Sequence, residues 1–292
     1  MRDFVIKSAN NQDGTGIKCT KLSEFEFRNL DVREFDTDIY ADDLTIGSLH
    51  NCHLNGAITA LNLDNAAQIL VEACNFWNNT VGIRSRALYA SVILANQFEQ
   101  CTYCIAPWSY GSNTTSDTVS ILGNNFRSST TTYVAYPDIV SGVGARVLWF
   151  NDSTDYTLVL DRWMFRDNSV YFTGVDYLIN FSLHSGSSTP ITIENCRLGT
   201  QNATVCAVTG TQPVYLTWNS NTLNGGTGIE TGDWIFVAGL SDNLFDYQNF
   251  YGGIQLPVDK EVWHDGCIWY DSASDTVKVR SNGINKVLAF VT

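Results

Sequence analysis

At 292 residues, 44% of them hydrophobic and only 16% charged, the chain has the composition of a folded protein with room for a large core. A formal net charge of -13 leaves no broad positive face for nucleic acid or an anionic membrane, whereas a neutral partner such as a glycan is compatible with it. No apolar run approaches a membrane span, the N-terminus lacks the charged and apolar stretches of a signal peptide, and plentiful Asn, Thr, Ser and Gly beside only two Met point to strands rather than helices.

Taken in order, the chain opens with Asp13-Gly14-Thr15-Gly16-Ile17, which reads as an incomplete first coil of a repeat. A series of anchors follows at Leu30, Leu54, Phe76, Phe98, Phe126, Phe165, Leu198, Leu223 and Phe245, with steps of 24, 22, 22, 28, 39, 33, 25 and 22 residues. Five residues before each anchor stand Phe25, Leu49, Val71, Ile93, Ile121, Leu160, Ile193, Trp218 and Leu240, all apolar. Two residues before it the column reads Arg28, Cys52, Cys74, Asn96, Asn124, Trp163, Cys196, Asn221 and Asn243. Asn tolerates the left-handed conformation of a sharp bend, and stacked Asn side chains form hydrogen-bonded ladders. Seven residues after the anchor come Leu61, Ile83, Ile105, Tyr133 and Val205, with Gly228-Ile229 repeating the pattern one residue early.

Each repeat is thus two short strands, a tight bend and a third strand, without a helix. A strand repeat of this period predicts an all-β parallel β-helix of nine to ten coils over residues 1–250, whose interior columns of Phe, Ile, Cys and Asn fill the rod. The long steps locate insertions at Pro107 to Asn113, at Tyr133 to Tyr156 with Trp149 and Phe150 in the middle, and at Val170 to Pro190. Function concentrates where loops leave a rigid scaffold. Residues 251–292 form a separate C-terminal module. Glu261 to Leu288 reads as strand, Asp/Ser turn, alternating strand through Val277 and Val279, Asn-Gly turn and strand, a β-meander suited to covering the last coil. The eight cysteines are scattered and read as reduced, packed thiols, with Cys52 and Cys74 stacked in one column and Cys101-Thr102-Tyr103-Cys104 lacking a second pair for zinc. The five Asn-x-Ser/Thr sequons, at Asn78, Asn113, Asn151, Asn180 and Asn202, reflect the Asn/Thr-rich composition.

Coils such as Phe25-Glu26-Phe27-Arg28-Asn29-Leu30 with Asp38-Ile39-Tyr40, and Cys74-Asn75-Phe76 with Val81-Gly82-Ile83, resemble the right-handed single-stranded parallel β-helix of the pectate-lyase-like superfamily, which includes bacteriophage tailspikes. The ending Gly266-Cys267-Ile268-Trp269-Tyr270-Asp271, with Val277 to Gly283, resembles a short module near the ends of phage tail-fibre proteins. The resemblance implies a virion appendage made in the host cytoplasm, side-by-side association as a homotrimer, contact with other tail proteins, and recognition of a host surface polysaccharide. It implies no cofactor and no metal. The chain departs from many tailspike β-helices in lacking the Gly-x-x-Asp-Asp-Thr-x-Ala-Ile-Gln opening with its capping helix.

Two sets of residues are candidates for chemistry. Sugars present apolar C–H faces to aromatic rings, so the loop aromatics Trp108, Tyr110, Tyr136, Trp149, Tyr171 and Tyr177 are candidate glycan platforms, set against the plainer reading that they pack the loops onto the coil. On such a fold a polysaccharide depolymerase, hydrolase or lyase, would use paired carboxylates on one outer face. The column four residues before the anchor is expected to face outward and places Asp161 and Glu194 in consecutive coils, about 4.8 Å apart at the backbone. Asp167 and the loop acids Asp152, Asp155 and Asp176 lie near them in sequence. The plainer and preferred reading is a solvated acidic face, which makes a binding or purely structural appendage the expectation ahead of an enzyme.

Overall fold

The computed structural model describes residues 3–9, 13–109, 112–128, 146–152, 155–172, 177–185, 187–188, 191–200, 204–208, 212, 214–224, 229–230, 235–238, 268–271, 276–281 and 284–287. Among them every regular element is a strand. The chain passes in turn through three parallel sheets, here called A, B and C, and one pass is a circuit. In one circuit Ile69–Glu72 lies in sheet A, Asn75–Trp77 in B and Val81–Ser85 in C; in the next, Val92–Leu94, Gln97–Glu99 and Tyr103–Pro107 lie parallel beside them. Sheets A and B each comprise nine strands and sheet C thirteen among the described residues.

Side chains on a strand alternate between its two faces, and burial follows that alternation: Ile69 and Val71 are buried, Leu70 and Glu72 half-buried. The inward residues stack on their equivalents one circuit away. Val71 lies beside Ile93, Phe76 beside Phe98, and Ile83 beside Ile105. The Phe76 and Phe98 rings stack at 4.6 Å between centroids, and Phe98 and Phe126 at 4.8 Å. One continuous hydrophobic core runs from Ile17 to Leu216.

The bends carry the rest of the pattern. Between sheets A and B the residue three before the anchor has positive φ in circuit after circuit: Asn51 (51°), Ala73 (53°), Ala95 (53°), Gly123 (62°), Asp167 (57°) and Asn195 (51°). The bends from B to C, at Glu34, Gly56, Asn78 and Gln100, and from C to A, at Gln68, Ala90, Thr118 and Arg162, use the same device. The ladder residue follows the left-handed one and points inward, so the two roles that the sequence reading gave to one column belong to neighbouring columns. The Asn124 side-chain oxygen accepts the Asn96 N–H at 2.8 Å, while its amide donates to the Ile93 carbonyl at 2.9 Å. Asn168 does the same for the Asn124 N–H (2.8 Å) and the Ile121 carbonyl (2.9 Å). Cysteine imitates asparagine in this column: the Cys74 sulfur accepts the Cys52 N–H at 3.4 Å and its thiol lies 3.7 Å from the Leu49 carbonyl. The seven described cysteines are free and buried, as expected of packed thiols.

Four placements differ from the sequence reading. The first anchor is Val32 rather than Leu30, since Val32 pairs with Leu54 and Phe27 with Leu49. Phe165 belongs to the sheet A column, beside Ile121 and Ile193, and the anchor of its circuit is Val170, beside Phe126 and Leu198. Both columns accept any apolar side chain, so an aromatic ring does not say which one it fills; Asn168, two residues before Val170, does. Third, Trp149 and Phe150 lie in the sheet C strand Arg146–Asn151, and Tyr171 and Tyr177 in the strands Ser169–Phe172 and Tyr177–Ser182, so none of the four is an inserted-loop residue. In sheet C, Leu148 pairs with Ile105 and Cys206 with Ile179, where Tyr133 and Val205 were expected. Tyr133 and Phe245 lie outside the described residues. In the terminal region Ile268–Asp271, Thr276–Ser281 and Ile284–Val287 form an antiparallel three-stranded meander, the order read from its turns.

Candidate functional site

Sheet B presents two outward rows, the residues immediately before and after each anchor. The row after the anchor runs Arg33, Asn55, Trp77, Glu99, Arg127 and Tyr171, neighbours on adjacent strands. The row before it runs Asp31, His53, Asn75, Gln97, Asn125 and Ser169. Trp77 is 39% exposed and Tyr171 51%, although buried ring area is the main stabilising payload of such side chains. Three strand steps separate them, about 14 Å along the sheet. Glu99 and Arg127 lie between the two rings, flanked by the amides of Gln97 and Asn125. Gln97 donates to the Glu99 carboxylate at 3.1 Å, which fixes one wall of the strip. At its lower end Arg33 donates to Asp31 through Nε at 2.6 Å and through Nη2, holding the Asp31 carboxyl below its ordinary range. Between its two rings the strip offers amides and one charge of each sign on a parallel sheet. That is a chemistry of binding.

The sequence candidates fall in different places. Of the aromatics, Tyr171 is exposed and stands in this strip. Trp108 and Trp149 are each 2% exposed and pack with Val81, Tyr103 and Ala106 on the outer side of sheet C, so neither is an open platform. The Arg84 guanidinium lies 3.8 Å from the centre of the Trp108 ring. Tyr177 is half-buried, its ring 4.8 Å from the buried Arg146 guanidinium. Tyr110 and Tyr136 lie outside the described residues.

Of the three candidate carboxylates, Asp167 and Glu194 are neighbours, the Asp167 backbone N–H donating to the Glu194 carbonyl at 3.1 Å, while Asp161 stands apart. Glu194 has Arg166 and Asn219 as its neighbours in sheet A, whereas Asp161 stands in sheet C beside Asp117. Their expected adjacency came from the five-residue register error at Phe165. Arg162 binds Asp117 through Nη2 at 2.8 and 2.9 Å and reaches Asp161 at 3.4 Å; its hydrogen bonds hold the Asp117 carboxyl below its ordinary range. A carboxylate kept ionised in this way is a poor general acid. Asp167, at the bend, accepts hydrogen bonds from Arg166 at 3.1 Å and from Asn195 at 2.5 Å. Asp152 is buried and receives the backbone N–H groups of His184, Ser185 and Leu158, a local staple. Asp155 is exposed and Asp176 lies outside the described residues. Elsewhere, a cleft of 330 Å³ is lined by Asn65, Arg86, Tyr89 and Asn113, with Arg86 tied to Asp64 at 2.6 Å. Among the described residues no three or more His, Cys, Asp or Glu are gathered as a metal site requires.

Sequence reasoning missed Trp77, although its signal was available. It directly follows the anchor Phe76, and neighbours on a strand face opposite ways, so a buried Phe76 puts Trp77 outside. The site and fold define a class by architecture: an all-β protein of stacked parallel circuits with an aromatic and amide strip on one face. No family model, curated protein or solved structure matches the chain.

Proposed function

We propose that the chain is a right-handed parallel β-helix of the bacteriophage tailspike type, a structural part of a virion tail appendage, and that it binds a host surface polysaccharide along the outer face of sheet B. The observation that carries this is the strip from Trp77 to Tyr171. Two exposed rings about 14 Å apart, with Glu99 and Arg127 between them and the amides of Gln97 and Asn125 alongside, suit a glycan segment several units long, ring faces taking C–H surfaces and amides taking hydroxyls. Three further observations support it: the parallel three-sheet circuits, the terminal meander, and the net charge of -13, which suits a neutral rather than an anionic ligand. The depolymerase reading has less support: Asp161 stands in a different sheet from Glu194 and is reached by Arg162, and Asp167, the backbone neighbour of Glu194, accepts hydrogen bonds from Arg166 and Asn195.

The test is titration calorimetry of the protein with purified surface polysaccharides of candidate hosts. Trp77→Ala and Tyr171→Ala should each weaken binding roughly tenfold, about 1.4 kcal/mol, with an unchanged melting temperature. Binding that survives both substitutions together sinks the assignment of this strip. Release of new reducing ends during the same incubation would replace the binding reading with the enzymatic one.

A further inference from the structure

Sheet C parts where its circuits lengthen. The circuit from Phe98 to Phe126 takes 28 residues, against 22 for the one before it. The strand Tyr103–Pro107 pairs with Val81–Ser85, then the chain leaves the sheet and returns as Thr114–Asp117. Thr114 and Thr115 pair with Leu158 and Val159 of the following circuit. Toward the preceding circuit the strand is held only near its end, by the pairing of Asp117 with Tyr89 and by the Ser116 hydroxyl, which donates to the Leu88 carbonyl at 2.9 Å. The 330 Å³ cleft lies where the pairing lapses. Three successive circuits wall it: Asn65 from the first, Arg86 and Tyr89 from the second, and Ser112 to Thr115 from the third.

The chemistry of the walls says what fits. Every lining side chain except that of Ala87 carries a hydroxyl, an amide or a guanidinium, so an apolar ligand would leave them unsatisfied. Charge narrows the choice. No carboxylate lines the cleft, and its one cation, Arg86, donates through Nε to the Asp64 carboxylate at 2.6 Å, so an anion would meet a charge already balanced. Two hydroxyls have no hydrogen-bond partner among the described residues: that of Tyr89, on a half-buried side chain, and the buried Oγ1 of Thr114. A buried hydroxyl without a partner is destabilising, and a ligand hydroxyl, met by a rotation about χ1, would remove that cost. We infer that the cleft is a second saccharide site, which takes one neutral sugar unit. Its volume lies at the lower end of ligand pockets, about 300–1,000 Å³, and so suits a single ring rather than a chain. Sugar hydroxyls both donate and accept, as the Asn, Ser and Thr walls require, and the Tyr89 ring offers a face to the C–H side. The inference does not rest on the strip of sheet B, with which the cleft shares no residue.

Saturation-transfer NMR of the whole chain with glucose, galactose, mannose, rhamnose and N-acetylglucosamine, and with glucuronate as the anionic comparison, tests the site. At least one neutral sugar should bind with a Kd of about 1–10 mM, as ordinary efficiency gives a ligand of this size, and glucuronate should bind more weakly. Tyr89→Phe and Thr114→Val should each weaken that sugar about fivefold. Each removes a hydroxyl that the fold does not use, so neither should lower the melting temperature, and Thr114→Val should raise it by about 2–4 °C. Trp77→Ala, which disables the strip, should leave monosaccharide binding unchanged, so failure of the strip and failure of the cleft are told apart. The inference is overturned by no neutral sugar binding up to about 50 mM, by tighter binding of glucuronate, or by binding that survives both cleft substitutions. Loss of monosaccharide binding in Trp77→Ala, or a lower melting temperature for Thr114→Val, overturns it equally.

Discussion

Asn124 shows how much one side chain does in this fold. Its oxygen accepts from the Asn96 backbone at 2.8 Å and from the Asn96 side chain at 3.0 Å, and its amide donates to the Ile93 carbonyl. Removing a partner from a buried group costs more than the bond itself contributes, so Asn124→Ala should destabilise by about 2–4 kcal/mol, read from a urea unfolding midpoint. Cys74→Asn should be neutral or stabilising in the same assay, because an amide there can accept the Cys52 N–H and donate to the Leu49 carbonyl better than sulfur does. A large loss from Cys74→Asn would show that column volume, not hydrogen bonding, decides this position. Asp38 is the opposite case. It replaces the small core residues Ala60 and Gly82 of its column and is fully buried, and desolvation raises its pKa to about 8 despite hydrogen bonds from the Phe35 and Asn55 backbones. A carboxyl raised in the folded state keeps its full contribution below the unfolded value, near pH 4, and loses it as pH rises toward 8. Wild type should therefore lose stability relative to Asp38→Asn across that window, with Asn the more stable at pH 8. Parallel stability curves for the two proteins would show that Asp38 ionises in the fold as readily as in the unfolded chain, and so that burial does not raise its pKa.

At the scale of the element the bends set the register. Ala95 and Gly123 occupy equivalent left-handed positions in consecutive circuits, at 53° and 62°. A side chain there costs about 1–2 kcal/mol, partly offset by the extra chain entropy that glycine loses on folding. Ala95→Gly should gain about 0.5–1 kcal/mol and Gly123→Ala lose about 1 kcal/mol, measured as shifts in thermal midpoint. Equal and negligible shifts would mean that the ladder, not the bend, limits the conformation. The same elements show how far the sequence could be read. From Leu54 to Phe126 the anchors, the apolar column and the ladder residues agree with the observed pairing. The reading slipped at Leu30 and Phe165 because apolar burial is indifferent to residue type, so a bulky ring in the sheet A column passes for an anchor. A ladder residue is not interchangeable in this way, since it must both accept and donate, and Asn168 would have marked the correct circuit. The placement of the aromatics was less legible for a related reason. Exposed aromatics were sought in insertions, whereas Trp77 and Tyr171 project from regular strands, and Trp108 and Trp149 are buried against Tyr103, Ala106 and Val81.

At the scale of the whole molecule, each circuit touches chiefly the circuits above and below it, so stability is built up by stacking and the ends are the weakest places. The cysteines report on this directly. Seven of the eight are free and buried, and Cys267 lies outside the described residues. Burial pushes the thiols of Cys19, Cys104 and Cys206 above their ordinary range and that of Cys196 up to about 11, which keeps them protonated and slow to attack a disulfide reagent. Native protein should thus titrate at most one thiol rapidly with an aromatic disulfide, and all eight once denatured without reductant. Fewer than eight in the denatured protein would reveal a disulfide and overturn the reduced core. At intermediate urea, reaction should spread inward from the ends, Cys19 near the first described circuits reacting before Cys101 and Cys104 in the middle. Simultaneous reaction of all three would mean that the stacked core opens as one cooperative unit rather than circuit by circuit.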